Sequence, residues 1–255
     1  MQGKQVAAEA AARLLLEKHL PRAERIGIGT GSTTRLTVEK ILEEDPSSLR
    51  GKRLYASSHD TLLFLEARGL EASLRIPSNG IDIYFDGADE VSFEAHTCMI
   101  LKGRGAAMTR EKMLAYNSRT VLIIVDESKV SQRLGEKGKP LPLEVHPDAL
   151  AAVLAALRAM GLRAEPRGGC GCRDGPACTD NCGLVVDVWG LERYSLLRLE
   201  SIVEAIPGVV ASGAFAGYAD AVIVGYGDGR WEARQCRRTR INPVLRSGSG
   251  SYERQ

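Results

Sequence analysis

Between Arg25 and Lys129, short apolar runs alternate with longer segments whose apolar positions recur at helical spacing. Ile26 to Gly29, Leu54 to Ser57, Ile81 to Phe85, Met99 to Leu101 and Thr120 to Val125 read as strands. Thr33 to Glu44, His59 to Arg68 and Ala106 to Asn117 read as helices. Val121-Leu122-Ile123-Ile124-Val125 has no polar position, the mark of a parallel strand covered by helices on both faces. The alternation predicts an α/β fold with a parallel, Rossmann-like sheet, in which ligands bind beyond the carboxyl ends of the strands.

Pro140 and Pro142 interrupt this rhythm. After them come a strand (Leu143 to Val145), a helix (Asp148 to Met160), a strand (Leu162 to Glu165), a cysteine-rich loop, a strand (Leu184 to Val188), a helix (Leu191 to Ala205) and a strand (Val209 to Ala214). That order is a βαββαβ, ferredoxin-like α+β unit. The expected division is a catalytic α/β domain over 1–133 plus about 214–235, which includes a last strand from Ala221 to Val224, and a small domain over 134–213. Arg237 onward lacks apolar periodicity and reads as a disordered tail or an appended remnant over 237–255. Met1 to Leu20 mixes charges with alanine and leucine as an amphipathic helix does, unlike the apolar core of a signal peptide.

At 255 residues, 44% hydrophobic and 26% charged, the chain is long enough for two cores. A net charge of +2 excludes a whole-chain electrostatic footprint for nucleic acid. No apolar run approaches the roughly 20 residues of a membrane span, so the expected location is the cytoplasm, with a plastid equally compatible.

Three segments carry candidate chemistry. Gly27-Ile28-Gly29-Thr30-Gly31-Ser32-Thr33-Thr34 joins a strand to a helix, where small residues let backbone N–H groups approach an anion. It lacks the third glycine spacing of a dinucleotide fingerprint and the lysine of a P-loop. In Asp86-Gly87-Ala88-Asp89-Glu90, two carboxylates follow a strand end where they can act on hydroxyls; by themselves they fit turn caps equally well. In Lys102-Gly103-Arg104-Gly105-Ala106-Ala107-Met108-Thr109-Arg110-Glu111-Lys112, glycines bring backbone near a ligand and Glu111 sits on the helix that follows, placed for proton transfer.

Read together, G-I-G-T-G-S-T-T, Y-F-D-G-A-D-E and L-K-G-R-G-A-A-M-T-R-E-K resemble ribose-5-phosphate isomerase of the A type. Ile123 to Lys129, Pro140 to Val145, Thr179-Asp180-Asn181 and Ala205 to Val210 extend the resemblance over roughly residues 4 to 230. It implies metal-free, cofactor-free interconversion of ribose 5-phosphate and ribulose 5-phosphate through a cis-enediolate, in the pentose phosphate pathway or carbon fixation, by a homodimer or homotetramer. Carried over by position, Glu111 is the proton-shuttling base. Lys102, with the Gly103, Arg104 and Gly105 backbone, stabilises the oxyanion, and Asp86 and Asp89 handle sugar binding and ring opening around Gly87 and Ala88. Thr30, Gly31, Ser32, Thr33 and Lys129 contact the substrate, and Ser57 and Ser58 line the same cleft. A sugar-phosphate sensor of related fold is the other class considered; it lacks a preceding helix-turn-helix here.

Arg104 stands where many members of that family carry glycine. The larger departure is Cys170, Cys172, Cys178 and Cys182, four thiols in a C-x-C-x5-C-x3-C pattern that could bind zinc or pair as disulfides but is not the usual double C-x2-C. No metal site is assigned to it. Cys98 and Cys236 are expected to be unpaired thiols in a reducing compartment.

Overall fold

The computed structural model describes residues 2–94, 96–169 and 174–246. Helix α1 (Gln2–Leu14) buries Ala7, Ala8, Ala10, Ala11 and Ala12 and runs on into a π-helical turn, Leu15–His19, before the first strand. The large sheet then collects β1 (Arg25–Ile28), β2 (Arg53–Ala56), β3 (Ala72–Ser73), β4 (Ile81–Gly87) and β7 (Ser118–Asp126), later joined by β13 (Ala221–Gly225) and β14 (Trp231–Gln235). Its spatial order is β14-β13-β7-β4-β1-β2-β3, parallel throughout except for the antiparallel edge β14.

Helices α2 (Ser32–Glu44) and α3 (His59–Glu66) form the crossovers. One apolar cluster joins α1 and α2 to Ile26, Ile28, Ile83, Phe85 and Ile124; the opposite face packs Tyr84, Val121, Ile123 and Val125 against Ile100 and Phe215. Burial on both faces explains why Val121 to Val125 has no polar position, each such side chain contributing about 1.5–3 kcal/mol.

Strands β5 (Glu90–Glu94), β6 (Thr97–Leu101) and β12 (Ala214–Ala216) form a separate three-stranded sheet, and helix α4 (Met108–Tyr116) follows β6. The second unit has β8 (Leu141–Val145), α5 (Leu150–Ala159), β9 (Arg163–Pro166), β10 (Leu184–Trp189), α6 (Leu196–Glu204) and β11 (Val209–Ser212), with all-antiparallel order β11-β8-β10-β9. This is the ferredoxin-like arrangement. The single run predicted from Val209 to Ala214 is thus divided between two sheets at Gly213. A side chain there would collide with the Lys102 carbonyl, 2.1 Å from an added Cβ.

Two expectations need correction. The tail predicted from Arg237 is packed through its described part, 237–246. Arg238 donates to the carbonyls of Ala115 (2.6 Å), Ser118 (2.9 Å) and Arg119 (3.1 Å), Asn242 N–H donates to Tyr116, and Leu245 is buried. Its anchoring groups are single polar side chains that satisfy the open carbonyls at the end of α4, so no apolar period marks them. The remaining 247–255 lie outside the described residues.

Cys98 and Cys236 are not free thiols either: the hairpin β13-β14 returns the chain to β6, with the Cα atoms 5.5 Å apart and the sulfurs bonded, a separation suited to a disulfide. The bridge spans 138 residues. Reduction, or Cys98→Ser with Cys236→Ser, should cost about 2–5 kcal/mol in denaturant unfolding; unchanged stability would contradict a structural bridge.

Candidate active site

The carboxyl ends of β1 and β4, the end of β6 and the first turns of α2 and α4 converge on one cleft of about 580 Å³. Its wall includes Thr30, Gly31, Ser32 and Thr33, then Gly87, Ala88, Asp89, Lys102, Gly103, Arg104, Gly105, Glu111 and Lys129. Lys4, Thr34, Ser58, Asp60 and Asp180 complete it. Asp86 does not reach the cleft; it lies beneath, with no exposed surface.

Lys102 is the centre of the charge cluster. Its Nζ lies 2.8 Å from Asp86 Oδ2 and 3.3 Å from Glu111 Oε1, and donates to the Gly87 carbonyl at 2.7 Å. Burial opposes the charge on this 3% exposed lysine, but Asp86 and Glu111 outweigh it and raise its pKa above the usual lysine value. Asp86 also accepts from Tyr84 Oη, from Thr34 Oγ1 at 3.2 Å and from Gly87 N–H at 2.7 Å.

Gly29 is what lets Asp86 sit there: an added Cβ would stand 2.0 Å from Asp86 Oδ1. Gly29→Ala must therefore push Asp86, and Lys102 with it, out of place. Because misplacement of about 1 Å can cost about 10²-fold, kcat should fall by about that factor; an alanine variant with full activity would show that this packing does not set the site.

Glu111 occupies the first turn of α4 and is 3% exposed; its Oε2 has no hydrogen-bond partner. Burial pushes the carboxyl up, Lys102 pulls it down, and the nearby acids Asp86 and Asp89 push it up again, leaving it at about 8. A carboxyl so placed can take up or release a proton near neutral pH. Asp89 Oδ2 accepts the Arg104 N–H at 2.9 Å, which fixes the glycine-flanked turn.

At the other end, α2 begins at Gly31 with no side-chain cap, so its first N–H groups open into the cleft. Lys4 Nζ donates to Ser32 Oγ at 3.0 Å. Thr30 Oγ1 is turned into a hydroxyl cluster with Ser57 (2.6 Å) and Ser58 (2.7 Å); Ser58 lines the cleft and caps α3, whereas Ser57 is fully buried. Lys139, packed near Lys129, donates to the Asp89 carbonyl at 2.6 Å.

The sequence reading missed Lys4, Asp60 and Asp180. A lysine in the first turn of an amphipathic helix reads as solvated, and its meeting with Ser32 is purely tertiary. Among the described residues no group of three His, Cys, Asp or Glu side chains could hold a metal ion. Cys178 and Cys182 are exposed, while Cys170 and Cys172 lie outside the described residues.

Residues 53–229 match the sequence family described as Ribose 5-phosphate isomerase A (phosphoriboisomerase A). The chain belongs to the ribose 5-phosphate isomerase A family. It is 38% identical over 208 residues to ribose-5-phosphate isomerase A of Pyrococcus horikoshii, covering 80% of this chain and 87% of that protein. Ribose 5-phosphate isomerase A of Methanocaldococcus jannaschii superposes with a TM-score of 0.78 at 32% identity, over 91% of this chain and 97% of that one. A D-ribose-5-phosphate isomerase solved in complex with phospho-erythronic acid gives a TM-score of 0.81 at 31% identity, over 92% and 100% of the two chains. Membership in the ribose 5-phosphate isomerase A family makes the chain an enzyme, a ribose-5-phosphate isomerase.

Proposed function

We propose that the chain interconverts D-ribose 5-phosphate and D-ribulose 5-phosphate through a cis-enediolate, with Glu111 as the single base that carries the proton between C2 and C1. The observation that carries this reading is the free Oε2 of Glu111, buried in the cleft wall beside the ammonium of Lys102. The glutamate removes the proton from one carbon and returns it to the other. Lys102 faces the oxygens, where negative charge grows in the enediolate. The phospho-erythronic acid bound by a relative carries a carboxylate, a stable anion of related shape.

Asp86 acts from below by fixing Lys102, and Asp89, which lines the cleft, is the carboxylate available to sugar hydroxyls and ring opening. The phosphate, largely dianionic at neutral pH, sits at the uncapped N-terminus of α2, where Gly31, Ser32, Thr33 and Lys4 supply donors and charge. Lys129 supplies a further cation to the same cleft. On this reading the enzyme serves the non-oxidative branch of the pentose phosphate pathway in the cytoplasm, as a homo-oligomer. Among the described residues no helix is long and apolar enough to cross a membrane.

The test is the pH dependence of kcat/KM. If Glu111 must be ionised in the free enzyme, activity should rise with pH along a limb centred near 8. That limb is separable from the substrate phosphate, which titrates near about 6. A profile flat from pH 6.5 to 9 would mean that Glu111 is already ionised across that range, and full activity in Glu111→Gln would remove it as the base.

A further inference from the structure

Two motifs take no part in the chemistry so far: Pro140 to Val145, which contains Glu144, and Thr179-Asp180-Asn181. The fold brings them together against the helix that carries Glu111. Along β8, Leu143 and Val145 point into the small-domain core, so alternation sends Glu144 to the opposite face, where it is 1% exposed. Its carboxylate accepts hydrogen bonds from Thr109 Oγ1 in the first turn of α4, from Thr179 Oγ1 at 2.8 Å and from Asn181 Nδ2 at 3.2 Å. Arg110 Nε, next along α4, donates to Asn181 Oδ1 at 2.9 Å.

We propose that Glu144 is a positioning residue for the isomerisation: through Thr109 it clamps the first turn of α4, and so Glu111, to the small domain's Thr179–Asn181 loop. This rests on the reading of Glu111 as the base. Helix α4 has no side-chain cap of its own at Ala107, so its first turn would otherwise be free to fray. Glu144 supplies the missing restraint from another domain, and a carboxylate at a helix N-terminus is also favoured by the helix dipole.

The rest of α4 is gripped as well. Lys112 pairs with Glu200 (2.6 Å) and Glu204 (2.5 Å) of α6, and Arg238 holds the last carbonyls. Glu144 acts on the turn bearing the base, beside the Arg110–Asn181 hydrogen bond and the Lys102 contact to Glu111. The same loop places Asp180 in the cleft wall, where its Oδ2 accepts the His59 N–H at 2.8 Å. The loop therefore reaches from α4 to the first turn of α3.

Thr109→Val cuts the clamp on the α4 side without changing side-chain shape and leaves Glu144 with Thr179 and Asn181. We expect kcat to fall about 10-fold or more, by displacement of Glu111, with KM nearly unchanged. The ascending limb of kcat/KM should move down from near 8 as water reaches the loosened carboxyl. Thr109→Ser, which keeps the hydroxyl, should restore both. In a Glu144→Gln background, Thr109→Val should add little, because the two belong to one interaction.

Thermal unfolding of Thr109→Val keeps the result readable. A folded variant with wild-type kcat and an unmoved pH limb would overturn the proposal, provided Glu111→Gln is inactive in the same assay. An active Glu111→Gln would instead overturn the reading of the base on which the proposal rests.

Discussion

Glu111→Gln should lower kcat for ribose 5-phosphate by about 10²- to 10⁴-fold, the usual worth of a general base, while KM stays close to the wild-type value. Glutamine keeps the volume of a side chain that is almost wholly buried and keeps one oxygen for the Lys102 ammonium, 3.3 Å away in the wild type. It cannot accept a proton from carbon. A loss confined to kcat is the signature of a group needed in the transition state and not for binding. The substitution also has a stability consequence whose sign follows from burial. The carboxyl rises from 4.5 in its ordinary state to about 8 in the fold. The folded protein thus binds more protons between these values, and the stability Glu111 contributes when protonated is present below 4.5 and lost as pH rises through about 8. The glutamine variant escapes that loss. Its unfolding midpoint should gain on the wild type from about pH 5 to about 8 and level off above, and parallel curves would mean that Glu111 is not desolvated.

Lys102→Met should be damaging in two ways. The ammonium is 3% exposed, with Asp86 and Glu111 at 2.8 and 3.3 Å, and removing it strands the buried carboxylate of Asp86 and, at the higher pH where it ionises, that of Glu111. Breaking a buried pair by deleting one partner costs about 3–5 kcal/mol, and acidification, which neutralises carboxylates, should shrink the loss. On the proposed mechanism the enediolate loses the cation aimed at it, at a scale of about 10²- to 10³-fold in kcat. Because Lys102 is the group that pulls the Glu111 carboxyl down, the residual activity should rise with pH along a limb above 8. The opposite shift from that expected of Thr109→Val separates loss of the cation from loosening of the helix. Wild-type kcat in Lys102→Met would show that the enediolate does not need this charge.

The parts of the fold legible in the chain were those whose burial is uniform. Val121 to Val125 announces a central parallel strand because both of its faces are covered, and the βαββαβ unit is visible because its helices and strands keep their periods. Strand β5 was hidden because it starts at Glu90, whose carboxylate is buried and accepts from Ser131 Oγ at 2.7 Å. Strand β14 was hidden because, as an edge of the sheet, it keeps Trp231, Ala233 and Gln235 exposed.

The candidate site was legible where glycine and charge cluster within one motif. It was not legible where a lone side chain meets the site through tertiary packing: Lys4 comes from the first helix, Asp180 from the loop before β10, and Glu144 looks like any strand glutamate. Asp86 shows a further limit. Its neighbours in sequence place it at a strand tip beside Asp89, but it is the tertiary fold that sets Lys102 above it, so that one aspartate faces the cleft and the other holds the lysine.

The central claim is that Glu111 moves the proton between C2 and C1. It is tested most directly by following deuterium from [2-²H]ribose 5-phosphate in ordinary water, by NMR of substrate and product. Wild type should deliver part of the label to C1 of ribulose 5-phosphate and lose the rest to solvent, as a carboxyl that holds the abstracted proton requires. Glu111→Gln should do both at least about 10²-fold more slowly. Loss or transfer of the label by Glu111→Gln at the wild-type rate would contradict the account.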